Sequence, residues 1–284
     1  MRNLFLVAIA FVLASCGAGV NSLPVSVTPS VTTASYAPAP SGPVKARTYA
    51  AIVVDVRSGK VLHEVDSESL RYPASLTKMM TLFLVFEDLK SGKLSLNTRW
   101  RVSRNAARTP PAKIGVKAGT TISVRDAIRA LSVKSANDVA AVVAENMAGS
   151  EAAFAARMTA MARALGMTST RFVNASGLPD TRQVTTARDM AILGRALKLR
   201  HSRYARNFAA REFKYGGRRF RATNRLLGNV RGVDGIKTGY IRLSGYNLVA
   251  SAKRGRKHII VVVIGGKSGK ARNAEVTRLI ERYS

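Results

Sequence analysis

The segment Tyr72-Pro73-Ala74-Ser75-Leu76-Thr77-Lys78-Met79-Met80-Thr81 sets a serine and a lysine three residues apart at the head of the apolar run Leu82-Phe83-Leu84-Val85-Phe86. A run that is apolar on nearly every side cannot lie on a surface as an amphipathic helix does. It demands a place between two layers of structure. Residues three apart on a helix share a face, which sets the Lys78 amine beside the Ser75 hydroxyl. Pro73 suits a first helical turn, so Ser75 falls where backbone N–H groups are free and the helix dipole favours negative charge. A serine with a base one turn away can be acylated, and an oxyanion can be held at those N–H groups. Serine also occurs at helix starts simply as a cap, so the rest of the chain has to separate the two readings.

The chain has 284 residues, 46% of them hydrophobic, which suffices for one large domain or a domain with an inserted subdomain. Lysine and arginine outnumber aspartate and glutamate by 46 to 16, and the formal charge of +30 points to anionic surroundings: nucleic acid, lipid headgroups or wall polymer. The N-terminus narrows the choice. Arg2 precedes an apolar stretch over residues 4–13, followed by Ala14-Ser15-Cys16, the layout of an export signal rather than of a spanning helix. An exported protein has no nucleic acid to meet. Cys16 is the only cysteine, so no internal disulfide forms. Its setting resembles a bacterial lipobox, in which the cysteine is lipidated and becomes the first mature residue, giving a membrane anchor. Ordinary cleavage nearby, for example after Ala18, is the alternative and would leave a soluble periplasmic protein.

Residues 17–44 carry no charge and are rich in Ser, Thr, Pro, Val and Ala, a linker by composition. Its ends would stand roughly 30 Å apart as a coil and about 85 Å apart as polyproline II. The expected organisation is therefore a signal peptide over 1–16, a linker over 17–47 and one folded domain over 48–284. No later stretch is long and apolar enough to span a bilayer.

Within the domain, residues 50–56 and 61–65 flank the turn Arg57-Ser58-Gly59-Lys60 and read as a β-hairpin. The helix bearing Ser75 follows. Helices are expected at 124–131, 138–147, 152–165 and 187–199, the last capped by Thr186. Residues 246–251 and 258–264 form a second hairpin, and 273–283 a closing helix. Strands first and last with helices between imply one sheet whose ends come together, with a helical insertion on one side. No internal repeat is present.

Two further elements are placed to converge on Ser75. Ser135-Ala136-Asn137 stands at the junction of two helices, where plain capping would also select Ser and Asn. Gly235-Ile236-Lys237-Thr238-Gly239-Tyr240 reads as a short β segment, where glycines would also serve a turn. In order, Ser-x-x-Lys, Ser-x-Asn and Lys-Thr-Gly make up the set found in penicillin-binding proteins and class A β-lactamases. The segments Lys134-Ser135-Ala136-Asn137-Asp138, Phe172-Val173-Asn174-Ala175-Ser176-Gly177-Leu178-Pro179-Asp180, Thr186-Ala187-Arg188-Asp189-Met190 and Gly232-Val233-Asp234-Gly235-Ile236-Lys237-Thr238-Gly239 resemble those of the type-5 penicillin-binding proteins, serine D-alanyl-D-alanine carboxypeptidases. The likeness runs from about Thr48 to the end of the chain.

The resemblance implies an α/β (α+β) fold of the β-lactamase/transpeptidase type, an antiparallel sheet flanked by helices with an inserted helical subdomain. It implies that Ser75 is acylated, that Lys78 is its base and that Ser135 relays a proton to the leaving D-alanine. Asn137 would bind the substrate amide, Lys237 and Thr238 the terminal carboxylate, and the strand edge at Gly239 and Tyr240 an extended peptide. Backbone N–H groups of Ser75 and Tyr240 would form the oxyanion hole. Lysine serves as a base only when neutral, a state that burial and a second cation such as Lys237 favour. The implied partners are peptidoglycan stem peptides, with β-lactam antibiotics as inhibitors, and no cofactor is implied.

The chain departs from the family pattern at several points. Alanine replaces the common glycine at position 136, and tyrosine the common histidine at 240. The arginine that relatives use near the carboxylate has no clear counterpart, since Arg225 is close in sequence but not aligned. The chain stops after the closing helix, so the β-rich second domain and amphipathic tail of many relatives are expected to be absent, with Cys16 and the linker in the tail's place.

Rival readings make distinct demands. A β-lactamase needs a carboxylate for its deacylating water, yet residues 152–211 contain no glutamate. A DD-endopeptidase acting on crosslinks shares the same motifs. A Ser-His-Asp triad is disfavoured because His63 and His258 fall in expected strands and His201 after a helix. Three scattered histidines and one processed cysteine lack metal-ligand spacing. A basic wall-binding protein would explain Arg203, Arg206, Arg211, Lys214, Arg218, Arg219, Arg221 and Arg225, but not the intact Ser75, Lys78, Ser135 and Lys237.

Overall fold

The computed structural model describes residues 40–284; the expected signal peptide with Cys16, and residues 17–39, lie outside them. The expected first hairpin forms from β1 (Ala50–Asp55) and β2 (Val61–Val65). A 3-10 turn, Ala74–Thr77, then carries Ser75 into α1 (Lys78–Lys90). The middle of the chain holds β3 (Arg99–Arg101), α2 (Arg104–Arg108), β4 (Thr121–Ser123) and α3 (Val124–Arg129), which runs on as the π-helical turn Ala130–Lys134. After it come α4 (Asn137–Ala148), α5 (Glu151–Ala164), α6 (Ala187–Arg200) and the short α7 (Ser202–Ala205). The hairpin β5 (Glu212–Tyr215) and β6 (Arg218–Arg221) leads to β7 (Val233–Ile241), β8 (Gly245–Arg254), β9 (Lys257–Gly266) and α8 (Gly269–Tyr283).

The main sheet has the order β2-β1-β9-β8-β7 and is antiparallel throughout, so the first and last strands of the chain meet as the sequence implied. Side chains alternate between its faces with period two. Ile52, Ile260, Val262 and Ile264 belong to the core under α1 and α6. Ala51, Val53, Val261 and Val263 belong to a second core with Val276, Leu279 and Ile280 of α8. Both faces are covered, which is why these strands read as unbroken apolar runs rather than alternating ones. Gly194 lets α6 lie close on the sheet, for a Cβ there would stand 3.2 Å from Ile260 and Val249.

Helix α1 is enclosed as its sequence demanded, with every residue from Lys78 to Phe86 buried. Each large apolar side chain so buried contributes about 1.5–3 kcal/mol. Phe83 and Phe86 pack on His201, and Phe86 also on Tyr204 and Phe208. Thr186 caps α6 by accepting the Asp189 N–H, as expected.

Several elements differ from expectation. Ser75 sits on a 3-10 turn rather than in the α-helix itself, but in that geometry residues three apart eclipse, so the pairing with Lys78 is kept. The segment bearing Lys237 is part of a nine-residue edge strand, not a short one. The closing helix begins four residues before position 273, because Ser268 accepts the Ala271 N–H ahead of a polar first turn. The small sheets β3–β4 and β5–β6 are too short, at three and four residues per strand, to show a periodic pattern.

Candidate active site

Ser75 is held from three sides. Behind it, Ala74 adopts a positive φ of 50°, a strained conformation for a residue with a Cβ. From the sheet, the wholly buried Asn247 donates to the carbonyls of Tyr72 at 3.2 Å and Pro73 at 3.4 Å and accepts the Gly265 N–H. From the loop after α5, Gly177 packs so tightly on the Ala74 carbonyl that no side chain fits between them. Gly239 of β7 lies against the same turn, where a Cβ would stand 3.2 Å from the Ser75 nitrogen. The nucleophile candidate is thus wedged between an edge strand and a loop.

Lys78 lies beneath it with no exposed surface. Its Nζ donates to Ser75 Oγ at 3.2 Å, to Asn137 Oδ1 at 2.7 Å and to the Ser176 carbonyl. Burial pushes its pKa well below the usual lysine value, and the charge of Lys237 lowers it further, against opposing pulls from Asp138 and Glu151. Lys237 is itself buried and brought down to about 7, by desolvation first and then by the cation of Arg272. Burial thus favours the neutral amine at both positions. Lys78 can therefore accept the Ser75 proton, and Lys237 can recover charge when an anion arrives.

The Ser135-Ala136-Asn137 segment is not a capping motif. The residue in the cap position of α4 is Ala136, with no side-chain bond to the helix. Asn137 instead bridges Lys78 and the Pro110 carbonyl, donating to the latter at 2.8 Å. Ser135 takes a left-handed φ of 63°, and its Oγ is buried without a hydrogen-bond partner among the described residues. A strained serine with an orphaned hydroxyl is poised for a ligand or a proton. Asp138 fixes the loop over this site by accepting the Gly115 N–H at 2.9 Å, with Ile114 and Val116 at 3.3 Å.

Thr238 Oγ1 donates to Thr223 Oγ1 at 2.8 Å, and the Thr223 N–H in turn bonds the Val133 carbonyl just before Ser135. Tyr240 is more than half exposed, its ring 4.3 Å from that of Tyr246 across the hairpin. Ser75, Lys78, Asn137, Lys237 and Gly239 thus share one centre, with Ser135 and Thr238 on its wall and Tyr240 at its rim. Cys16 lies outside the described residues. His63 and His258 lie in strands β2 and β9, and His201 is buried with Glu87, 2.7 Å away. Among the described residues no group of His, Cys, Asp or Glu is able to hold a metal ion.

Three residues of the site escaped sequence reasoning. Asn247 had no motif around it. Glu151, which accepts the Ala175 N–H at 3.1 Å and influences Lys78, looked like an ordinary acid in a first helical turn. Arg272 supplies a cation beside Lys237 from α8, and its guanidinium donates to the Asn247 carbonyl at 2.7 Å. The cation beside Lys237 thus comes from 35 residues downstream of it, and Arg225 lines another cleft.

An antiparallel sheet between helical layers, with a serine beside a buried lysine at its edge strand, defines the penicillin-binding, transpeptidase-like class of fold. A family model described as D-alanyl-D-alanine carboxypeptidase matches residues 34–268, and the chain belongs to that peptidase family. It is 38% identical over 236 residues to D-alanyl-D-alanine carboxypeptidase DacA of Escherichia coli (strain K12), covering 81% of this chain and 59% of the relative. Among solved structures it is similar to the D-alanyl-D-alanine carboxypeptidase DacD of Francisella tularensis, with 30% identity, a TM-score of 0.80 and coverage of 89% of this chain and 73% of the other. The ampicillin-bound penicillin-binding protein D2 of Listeria monocytogenes aligns with 31% identity and a TM-score of 0.76, over 84% of this chain and 97% of its own. The chain spans about 60% of the length of the first curated relatives it matches.

Proposed function

We propose that this protein is a serine D-Ala-D-Ala carboxypeptidase that removes the terminal D-alanine from peptidoglycan stem peptides through an acyl-enzyme on Ser75. The observation that carries the reading is the buried amine of Lys78, 3.2 Å from Ser75 Oγ and depressed in pKa. Neutral Lys78 takes the hydroxyl proton as Ser75 Oγ attacks the carbonyl of the penultimate D-alanine. Backbone N–H groups of Ser75 and Tyr240 hold the developing oxyanion. The C–N bond then breaks, and the departing D-alanine nitrogen takes a proton through Ser135, whose orphaned hydroxyl suits that relay. Lys237, Thr238 and Arg272 receive the terminal carboxylate, and Asn137 the substrate amide. Water then hydrolyses the ester, which restores Ser75. The edge strand β7 offers its free side to the extended peptide, and β-lactams acylate the same serine.

The reading extends to the envelope: residues 1–16 direct export, Cys16 carries a lipid anchor and the linker holds the domain away from the membrane. Release of a Cys16→Ala variant from membranes supports the anchor, and retention removes it. The direct test of activity is D-alanine release by the full chain from a peptide ending in Lys-D-Ala-D-Ala, alongside a penicillin. Release with slow penicillin turnover is expected. Rapid penicillin turnover would make the protein a β-lactamase, and no reaction with either would leave a binding protein.

A further inference from the structure

Strand β7 does not run evenly into the ladder. Val233 stands opposite Ala252 and Gly235 opposite Ser251, so Asp234 is an extra residue, a β-bulge three residues before Lys237. From Gly235 to Ile241 the pairing is regular. The bulge therefore sets the phase of everything after it. With period two, Lys237 and Gly239 share the face turned to the Ser75 turn, where a Cβ on Gly239 would stand 3.2 Å from the Ser75 nitrogen. A slip of one residue would put their neighbours there instead.

An extra residue falls out of the ladder, and here two buried side chains hold the backbone in its place. Lys198 of α6, only 7% exposed, donates from Nζ to the Asp234 carbonyl at 3.1 Å and pairs with Asp234 Oδ1 at 2.8 Å. The same Nζ lies 3.6 Å from where a Cβ on Gly235 would stand. The next carbonyl, that of Gly235, receives Asn224 Nδ2 at 3.2 Å, and Asn224 is itself fixed by accepting the Leu226 N–H at 3.1 Å. Thr223, beside Asn224, accepts from Thr238. Residues 223 and 224 thus grip β7 on both sides of Lys237. One turn before Lys198 on α6, a Cβ on Gly194 would stand 3.5 Å from Ile236 Cδ1, so the helix presses on position 236 and ties position 234. Packing alone does not call for an amine here, since apolar residues of similar volume often serve as well as a buried ion pair.

We infer that Lys198, with Asn224, is a positioning residue that clamps the bulge at Asp234 and thereby fixes where Lys237 stands in the centre. The inference rests on the carboxypeptidase reading, in which Lys237 and Thr238 receive the terminal carboxylate of the substrate. Lys198 acts only through the backbone of β7. The charged and titratable groups around it are Asp234 and, on β9, His258, whose ring is hydrogen-bonded at 2.9 Å to Ser251, the residue opposite Gly235. Burial lowers the Lys198 pKa and Asp234 opposes the fall, yet both forms of the amine donate to a carbonyl, so the clamp holds in either.

The test compares the full chain with its Lys198→Met variant. The variant is expected to fold, with KM for a peptide ending in Lys-D-Ala-D-Ala raised about tenfold and kcat within about twofold. A displaced Lys237 also presses less on Lys78, so the acid limb of penicillin acylation should move to higher pH. A lower melting temperature with KM and that limb unchanged would make Lys198 merely structural and overturn the clamp. Lys198→Arg keeps a donor and should recover most of the KM. Asp234→Asn keeps both acceptors and should stay within about threefold of the parent KM, whereas a full tenfold rise would assign the effect to charge near Lys237 and overturn the clamp. Should Lys198→Met fail to fold, Asn224→Ala frees the Gly235 carbonyl and carries the same two readouts, and unchanged values again overturn it. If the parent releases no D-alanine, the carboxypeptidase reading fails, while the penicillin limb, which needs no peptide, still decides the clamp.

Discussion

Lys78 donates to Ser75 across a single 3-10 turn, amine to hydroxyl 3.2 Å, from a position that no solvent reaches. Only the uncharged amine can accept the serine proton, so the acylation rate follows the neutral fraction of Lys78. Because burial and Lys237 depress that pKa, the rate should be on its plateau at alkaline pH and fall as acidity protonates the amine well below the ordinary lysine range. Stopped-flow acylation by a penicillin across pH checks this, and a limb centred near the ordinary lysine pKa of about 10.4 would sink the assignment. Lys78→Ala should retain the fold and lose about 10²–10⁴ in acylation rate.

Lys237 makes a prediction about stability. Its folded pKa of about 7 lies below the ordinary lysine value of 10.5. Between those values the unfolded chain binds more protons than the folded one, so this group makes stability rise with pH across that window. Below the window its buried charge is an unfavourable constant. Lys237→Met should therefore be the more stable protein at neutral pH, by about 2–4 kcal/mol, with the gain shrinking as pH approaches the upper value. Denaturant midpoints at both ends of the window read it out. A variant less stable than the parent at neutral pH would mean that the amine is well satisfied where it lies.

What the sequence made legible follows from what is periodic or local. The hairpins flanking the turn at Gly59 and the bend between β8 and β9, the enclosed helix α1 and the Thr186 cap all declare themselves within a few residues. Ser75 and Lys78 were readable for the same reason, being one turn apart. Ser135, Asn137 and Lys237 were reachable only through a resemblance, since nothing in their neighbours states that they meet. Arg272, Glu151 and Asn247 were hidden because each acts through tertiary approach. An arginine in a helix, an acid in a first turn and an asparagine in a strand carry no local mark of the Ser75 centre they support.

Gly177 should be among the least replaceable residues of the chain. Its φ is +82°, and a Cβ built there would lie 1.9 Å from the Ala74 carbonyl oxygen, inside any contact distance. Its neighbour Ser176 also supplies the carbonyl that receives Lys78. Gly177→Ala must push the loop away from the Ser75 turn, which should lower stability by about 2–4 kcal/mol and reduce acylation with it. Gly228→Ala serves as the comparison, at a similar φ of +79° but against the movable Arg211 side chain. Thermal unfolding and penicillin labelling of the two variants decide the point. Equal losses would show that backbone strain alone, not the approach to Ala74, sets the cost.

Asn247 separates positioning from chemistry. It touches neither Ser75 Oγ nor Lys78, yet its amide ties the Tyr72 and Pro73 carbonyls to the sheet, and its oxygen receives the Gly265 N–H at 3.1 Å. Through its own backbone carbonyl it also receives Arg272. Asn247→Ala leaves these buried partners unsatisfied, a loss of about 1–3 kcal/mol for each group stranded. With the turn loosened from β8, the Ser75 N–H no longer stands in a fixed relation to the edge strand that receives the substrate. Acylation should slow, while the midpoint of its pH profile stays where Lys78 sets it, because the amine keeps Asn137 and Ser176. A shifted midpoint would mean that Asn247 acts through the base after all, and an unchanged rate would mean that the turn holds its shape without the sheet.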